Sequence, residues 1–262
     1  MADDVRSLLE ELEAEHHALE AVVEPLDAEG WDAPTPAAGW RVRDQIGHLA
    51  FFDERGRMAA SDPDAFIAER DGALEDLDAF LEIAGRLARE NTGFLLLAAW
   101  RTARAMCLDA LDALPDGVRL PWYGPPMSIR SFASARLMET WAHGQDVCDA
   151  VGRARPPTDR LRHICHIGVS TRGWSYVVRG REAPTAPVFV DLALPSGASW
   201  TAGEPEALDV VRGPAEDFCL VVTQRRNVAD TSLHVEGAAA AEWLSIAQCF
   251  AGGPTLPPPP AG

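Results

Sequence analysis

Residues 129–151, IRSFASARLMETWAHGQDVCDAV, decide the reading of this chain. They contain no proline, and their one glycine, Gly144, is flanked by good helix formers, so they read as a single helix. Within that helix Glu139 and His143 stand four residues apart, a spacing that puts both side chains on one face. Two ligands from one helix make half of a metal site, because a catalytic zinc takes three protein ligands and keeps a fourth position open. The same stretch also places Arg136 and Asp146 at three-residue offsets, which is how the solvated face of an amphipathic helix looks. Spacing alone leaves both readings standing.

Upstream, Val5, Leu8, Leu9, Leu12, Leu19, Val22 and Val23 recur at helical intervals, predicting an amphipathic helix over about 3–24. The stretch EGWDAPTPAAGW (29–40) is broken by Gly and Pro and is expected to be turn. A helix then begins near Arg41, with Val42, Ile46, Leu49 and Phe52 along one stripe and His48 beside it. Residues 64–92 predict one or two helical pieces, and FLLLAAWRTARAMCLDALDAL (94–114) a long apolar helix stopped by Pro115 and Gly117. Four to five helices with short connections predict an antiparallel bundle over residues 1–155. His48 lies on a different helix from Glu139 and His143, and bundle cores are where facing helices assemble metal sites, so it is the candidate third ligand. Its plainer reading is a histidine satisfied by packing.

Beyond residue 155 the pattern changes. Residues 159–180 remain helical, but 186–213 alternate apolar and polar residues between turn signals, as short strands do. PAEDFCLVVTQRR (214–226) reads as a helix opened by Pro214, SLHVEG (232–237) as a strand, and 238–250 as a closing helix. Residues 156–252 therefore predict a small α+β domain, and the fold class of the chain is α+β. Residues 253–262, rich in proline, are expected to be disordered.

The net charge of −17 excludes nucleic acid as a partner, because such a chain repels a phosphate backbone. "GFLLLAAW" (93–100) ends at Arg101 and is too short to cross a bilayer, so no membrane partner is expected. The start, MADDVRSLLEELEAEHH, is acidic and amphipathic, unlike a signal peptide, and the expected location is the cytoplasm. Five scattered cysteines without a C-x-x-C pair suggest neither a disulfide framework nor a thiolate zinc site. Among the other histidines, His163 and His166 flank Cys165 without an evident third partner, and His16 and His17 point apart on their helix. Asp146 is a candidate hydrogen-bond partner behind a metal ligand.

The stretch WDAPTPAAGWRVRDQIGHLAFFD (31–53) resembles the N-terminal domain of mycothiol-dependent maleylpyruvate isomerases and their relatives in the DinB superfamily, where a Trp-containing loop leads into a helix bearing the first metal histidine. ETWAHGQD (139–146) is similar to the second metal motif of that family, a glutamate followed one turn later by a histidine. The resemblance implies a DinB-like bundle with His48, Glu139 and His143 as ligands of a divalent metal, zinc first and nickel in some members. It further implies mycothiol as thiol co-substrate and a small, anionic electrophile as substrate. The activity implied is that of a mycothiol-dependent isomerase or thiol S-transferase. An arginine of the C-terminal domain implicated in orienting the substrate corresponds to Arg225, with Arg226 second, in LVVTQRRNV (220–228). A non-catalytic metal-binding module and a metal-assisted hydrolase remain as alternatives, and a homodimer is left open.

Overall fold

The computed structural model describes residues 2–75 and 77–261, and the chain divides into two compact units, Met1–Arg155 and Pro156–Gly262. In the first unit, four long helices supply the core: α1 (Ala2–Val23), α3 (Val42–Ser61), α6 (Gly93–Asp112) and α7 (Ile129–Val151). The shorter α2 (Ala28–Asp32), α4 (Pro63–Glu75) and α5 (Leu77–Glu90) and a two-stranded ribbon of β1 (Arg119–Leu120) and β2 (Met127–Ser128) complete it. Residues 64–92 thus resolve into two helices. The stretch expected to be all turn instead opens with one helical turn, α2, because Asp27 caps it by accepting from the Gly30 N–H at 2.9 Å.

Helix α3 is the centre of this unit and packs on α5, α6 and α7, while α1 packs on α6 and α7. Its stripe of Val42, Ile46 and Leu49 is fully buried with Leu19, Leu96 and Trp100. The helix starts where Asp44 accepts from the Arg41 backbone N–H at 2.8 Å, so the segment carrying His48 has a defined first turn. At Gly56 an added Cβ would lie 2.8 Å from Cys107 Sγ, so only glycine permits this approach of α3 to α6. Helix α7 ends at Gly152, whose left-handed φ of 63° closes the last turn.

A polar lock joins three of these helices. Arg136 of α7 donates through Nε to Asp53 Oδ1 of α3 at 2.9 Å, and Trp100 Nε1 of α6 donates to Asp53 Oδ2 at 3.1 Å. Arg136, His143 and Asp146 are all buried, so the face of α7 that could have been a solvated one points into the protein.

The second unit carries α8 (Leu161–Ser170) and α9 (Arg172–Val177), then a four-stranded sheet with α10 (Ala215–Val222) and α11 (Ala238–Ile246). Its strands are β3 (Val188–Ala193), β4 (Ser199–Ala202), β5 (Asp209–Pro214) and β6 (His234–Glu236), in the order β4-β3-β5-β6, with β3 and β5 parallel and the outer pairs antiparallel. Val188, Val190 and Leu192 alternate inward along β3, as the sequence period requires. The closing helix stops four residues short of the expected Phe250, and the Cys249 N–H instead donates to the Val222 carbonyl at 3.0 Å.

The tail expected to be disordered is tied to this unit. Gln248 Nε2 donates to the Gly253 carbonyl at 3.0 Å, Asn227 Nδ2 to the Pro258 carbonyl at 2.9 Å, and the Ala261 N–H to Asp230. Proline lacks an N–H but keeps a carbonyl acceptor, and at Pro258 the Asn227 amide uses it.

Candidate metal centre

Helix α7 presents Glu139 and His143 on one face through its own periodicity, and α3 brings His48 opposite them. His143 Nε2 lies 3.1 Å from Glu139 Oε2, and His48 Nε2 lies 3.8 Å from the same oxygen. One ligand atom from each of the three residues lies within 4.8 Å of the other two. A tetrahedral ion bonded at about 2.0–2.1 Å separates its ligands by about 3.4 Å, a value that the separations of Glu139 from the two histidines bracket. No other group of three or more such side chains converges in this way among the described residues.

The cluster is partly enclosed. The Glu139 side chain is 25% exposed and that of His143 11%, so the site has an open side. Burial by itself would raise the Glu139 carboxyl, but hydrogen bonds and charge interactions with His143 and His48 outweigh it and hold the group well below the ordinary carboxylate range. Glu139 is therefore an anion at neutral pH, the state a metal ligand needs.

Aromatic rings wall the cluster. The Trp40 indole stacks on the His143 ring at a centroid distance of 5.9 Å and meets His48 at 5.4 Å, and Phe52, one turn beyond His48, lies 4.6 Å from it. Behind His143, its Nδ1 is in hydrogen-bond contact with Gln45 Oε1. Gln45 Nε2 donates to Thr35 Oγ1 at 3.0 Å, and the Thr35 hydroxyl donates to the Trp40 carbonyl at 3.0 Å. Gln45 thus stands behind the ligand, and Asp146 is buried one turn further along α7. Gln45 precedes His48 by three residues on one helix, a signal present in the sequence.

The other candidates sit on other elements of the chain. His163 is buried and His166 exposed on α8. His16 is buried edge-on to Trp100 with a ring separation of 5.8 Å, while His17 is exposed. In the second unit, Arg225 follows Gln224, whose φ of 60° turns the chain sharply after α10. Arg225 Nη1 donates to the Thr223 carbonyl at 2.6 Å, and Arg226 Nη1 to the Arg225 carbonyl at 2.7 Å. Also in the second unit, Arg172 donates to the Ala186 carbonyl at 3.0 Å and Trp174 to that of Phe250 at 3.1 Å.

Residues 12–148 match the family described as the mycothiol maleylpyruvate isomerase N-terminal domain, and the chain belongs to that family. Two uncharacterized proteins of Mycobacterium tuberculosis, from strains CDC 1551 / Oshkosh and ATCC 25618 / H37Rv, are 44% identical over 244 residues, which is 93% of this chain and 95% of theirs. The fold is similar to crystal structures of the mycothiol-dependent maleylpyruvate isomerase and of a mutant of it, each with a TM-score of 0.56 and 13% identity, over 86% of this chain and 92% of the other. At that identity the likeness is one of fold. No helix among the described residues is long and apolar enough to cross a membrane.

Proposed function

We propose that this protein is a metal-dependent, mycothiol-using isomerase or thiol S-transferase acting on a small anionic electrophile, with His48, Glu139 and His143 holding a zinc ion. The observation that carries this reading is the convergence of three ligand atoms from α3 and α7 in a member of this family. A divalent metal bound there would lower the pKa of a thiol at its open position and keep it ionised at neutral pH. Two neutral imidazoles and one carboxylate leave the site one net positive charge, which favours an anionic thiolate over water. Trp40 and Phe52 shield its sides and strengthen that preference by excluding solvent.

As an isomerase, the thiolate sulfur forms a bond to one alkene carbon, and the π pair moves onto the conjugated carbonyl as an enolate. Rotation about the new single bond and return of that pair expel the thiolate unchanged. As a transferase, the carbon–sulfur bond would stay: in an addition the enolate carbon would take up a proton, and in a substitution a leaving group would depart with the pair of the bond that breaks. In both cases negative charge develops on the substrate, and we assign Arg225 to orient and stabilise it. The reaction would run in a reducing cytoplasm, where none of the five cysteines, which form no disulfide here, needs protection.

The test pairs metal analysis with cobalt spectroscopy. Wild type is expected to carry one metal equivalent and His143→Ala to lose it. Adding mycothiol to the cobalt-substituted wild type should produce a sulfur-to-metal charge-transfer band, and turnover of an electrophile should require the thiol. Equal metal content in the two proteins removes the ligand assignment, and thiol-independent turnover replaces the isomerase or transferase reading with a hydrolase.

A further inference from the structure

We propose that Gln45 is the positioning residue of the metal centre, and that the relay Trp40 carbonyl–Thr35 hydroxyl–Gln45 amide sets which nitrogen of His143 is open to the ion. The proposal rests on the metal reading above and assigns a role to residues that are not ligands.

The argument follows the hydrogens. The Trp40 carbonyl can only accept, so the Thr35 hydroxyl points its hydrogen there at 3.0 Å. The lone pair of that hydroxyl then faces Gln45, and the end of the amide beside it at 3.0 Å must be the NH2. This leaves Gln45 Oε1, an acceptor without a hydrogen, against His143 Nδ1. Nδ1 must supply the hydrogen there, so Nε2 is the nitrogen left to take a metal. Nε2 is the ring atom that donates to Glu139 Oε2 at 3.1 Å, and an ion in the cluster would replace the hydrogen on Nε2, because the one on Nδ1 is held by Gln45. The opposite amide orientation would place NH2 against Nδ1, require the ring hydrogen on Nε2, and close that atom to a metal.

Two further features make this a built arrangement. Gln45 is fully buried, so neither end of its amide has water as a substitute partner. The loop that carries Thr35 is itself closed, with the Thr35 N–H donating to the Trp40 carbonyl at 2.8 Å and an isolated antiparallel bridge between Pro34 and Arg41. Trp40, whose carbonyl starts the relay, also stacks on the ring the relay orients, with an interplanar angle of 16°. A neutral amide in this place has a chemical consequence as well. It holds the imidazole without a second negative charge, so the centre keeps its net positive charge, whereas a carboxylate there would cancel it.

The experiment measures zinc affinity by chelator competition on full-length wild type, Gln45→Leu, Gln45→Glu, Thr35→Val and His143→Ala, with folding checked by circular dichroism. Loss of a hydrogen-bond partner behind a metal histidine costs about 10–100-fold in affinity, and Gln45→Leu is expected to fall in that range. Gln45→Glu restores an acceptor and should bind zinc at least as tightly as wild type, which a mere packing role would not produce. It should also weaken the mycothiol-induced cobalt band, because the site has lost its net charge. Thr35→Val leaves Gln45 in place and frees its amide to turn, so it should lose affinity in the same direction by less, and it keeps the proposal testable if Gln45→Leu does not fold. Wild-type affinity in both Gln45→Leu and Thr35→Val overturns the relay. Wild-type affinity in His143→Ala overturns the metal reading itself, so the two failures are distinguishable.

Discussion

Acid should unfold the helical unit through His16. This side chain is 2% exposed, and neither ring nitrogen has a hydrogen-bond partner among the described residues. Burial, together with the positive charges of Arg104 and Arg136 and against the opposing pull of Asp53, lowers its pKa from 6.5 to about 3. The unfolded chain therefore takes up a proton as the pH falls through about 6.5, and the folded chain does so only near about 3. Between those values the unfolded state holds more protons, so stability falls as pH falls, by about 1.4 kcal/mol per pH unit. Above about 6.5 the ring is neutral in both states and contributes nothing to pH dependence. From about pH 7 to about pH 5 the loss is about 2 kcal/mol, a large fraction of a typical domain stability of about 5–15 kcal/mol. The assay is urea denaturation of wild type and His16→Leu at both pH values, with a chelator present throughout so that metal release does not contribute. The decline between the two pH values should be smaller in His16→Leu by about 2 kcal/mol. An equal decline in the two proteins would refute a neutral, buried His16.

Two other outcomes are expected. Asp53→Ala leaves the Arg136 guanidinium buried without its counter-charge and Trp100 Nε1 without an acceptor, and should lower stability by about 3–5 kcal/mol in the same denaturation assay. Asp53→Asn, which still offers an oxygen to Trp100, should lose less. Arg225→Lys should retain full metal content and lose turnover by about 10- to 150-fold, the equivalent of one charge-assisted hydrogen bond of about 1.5–3 kcal/mol that an ammonium cannot make in the same bidentate geometry. Unchanged turnover in steady-state assays would remove Arg225 from the substrate site and direct attention to Arg226.

The long helices were legible because each carries its own evidence. Val42, Ile46 and Leu49 repeat at helical spacing, and one buried stripe follows from that spacing alone. The inward alternation of Val188, Val190 and Leu192 made β3 legible in the same way. Glu139 and His143 needed nothing more than helix geometry to share a face. Local pattern failed where a distant partner decided the outcome. The closing helix ends early where Cys249 finds the Val222 carbonyl, and the tail is held by Gln248, Asn227 and Asp230. His48 became a member of the cluster only because α3 packs on α7, and the same packing buried Arg136 against Asp53, 83 residues away in sequence. Gln45 is the clearest case. The sequence placed it one turn before His48, but its acceptor oxygen meets His143, 98 residues on, and its amide hydrogens meet Thr35. Periodicity reports which face of an element is apolar, a short-range property of the chain. Which polar atom meets which across two elements depends on how both are packed, and that is decided by the whole core at once.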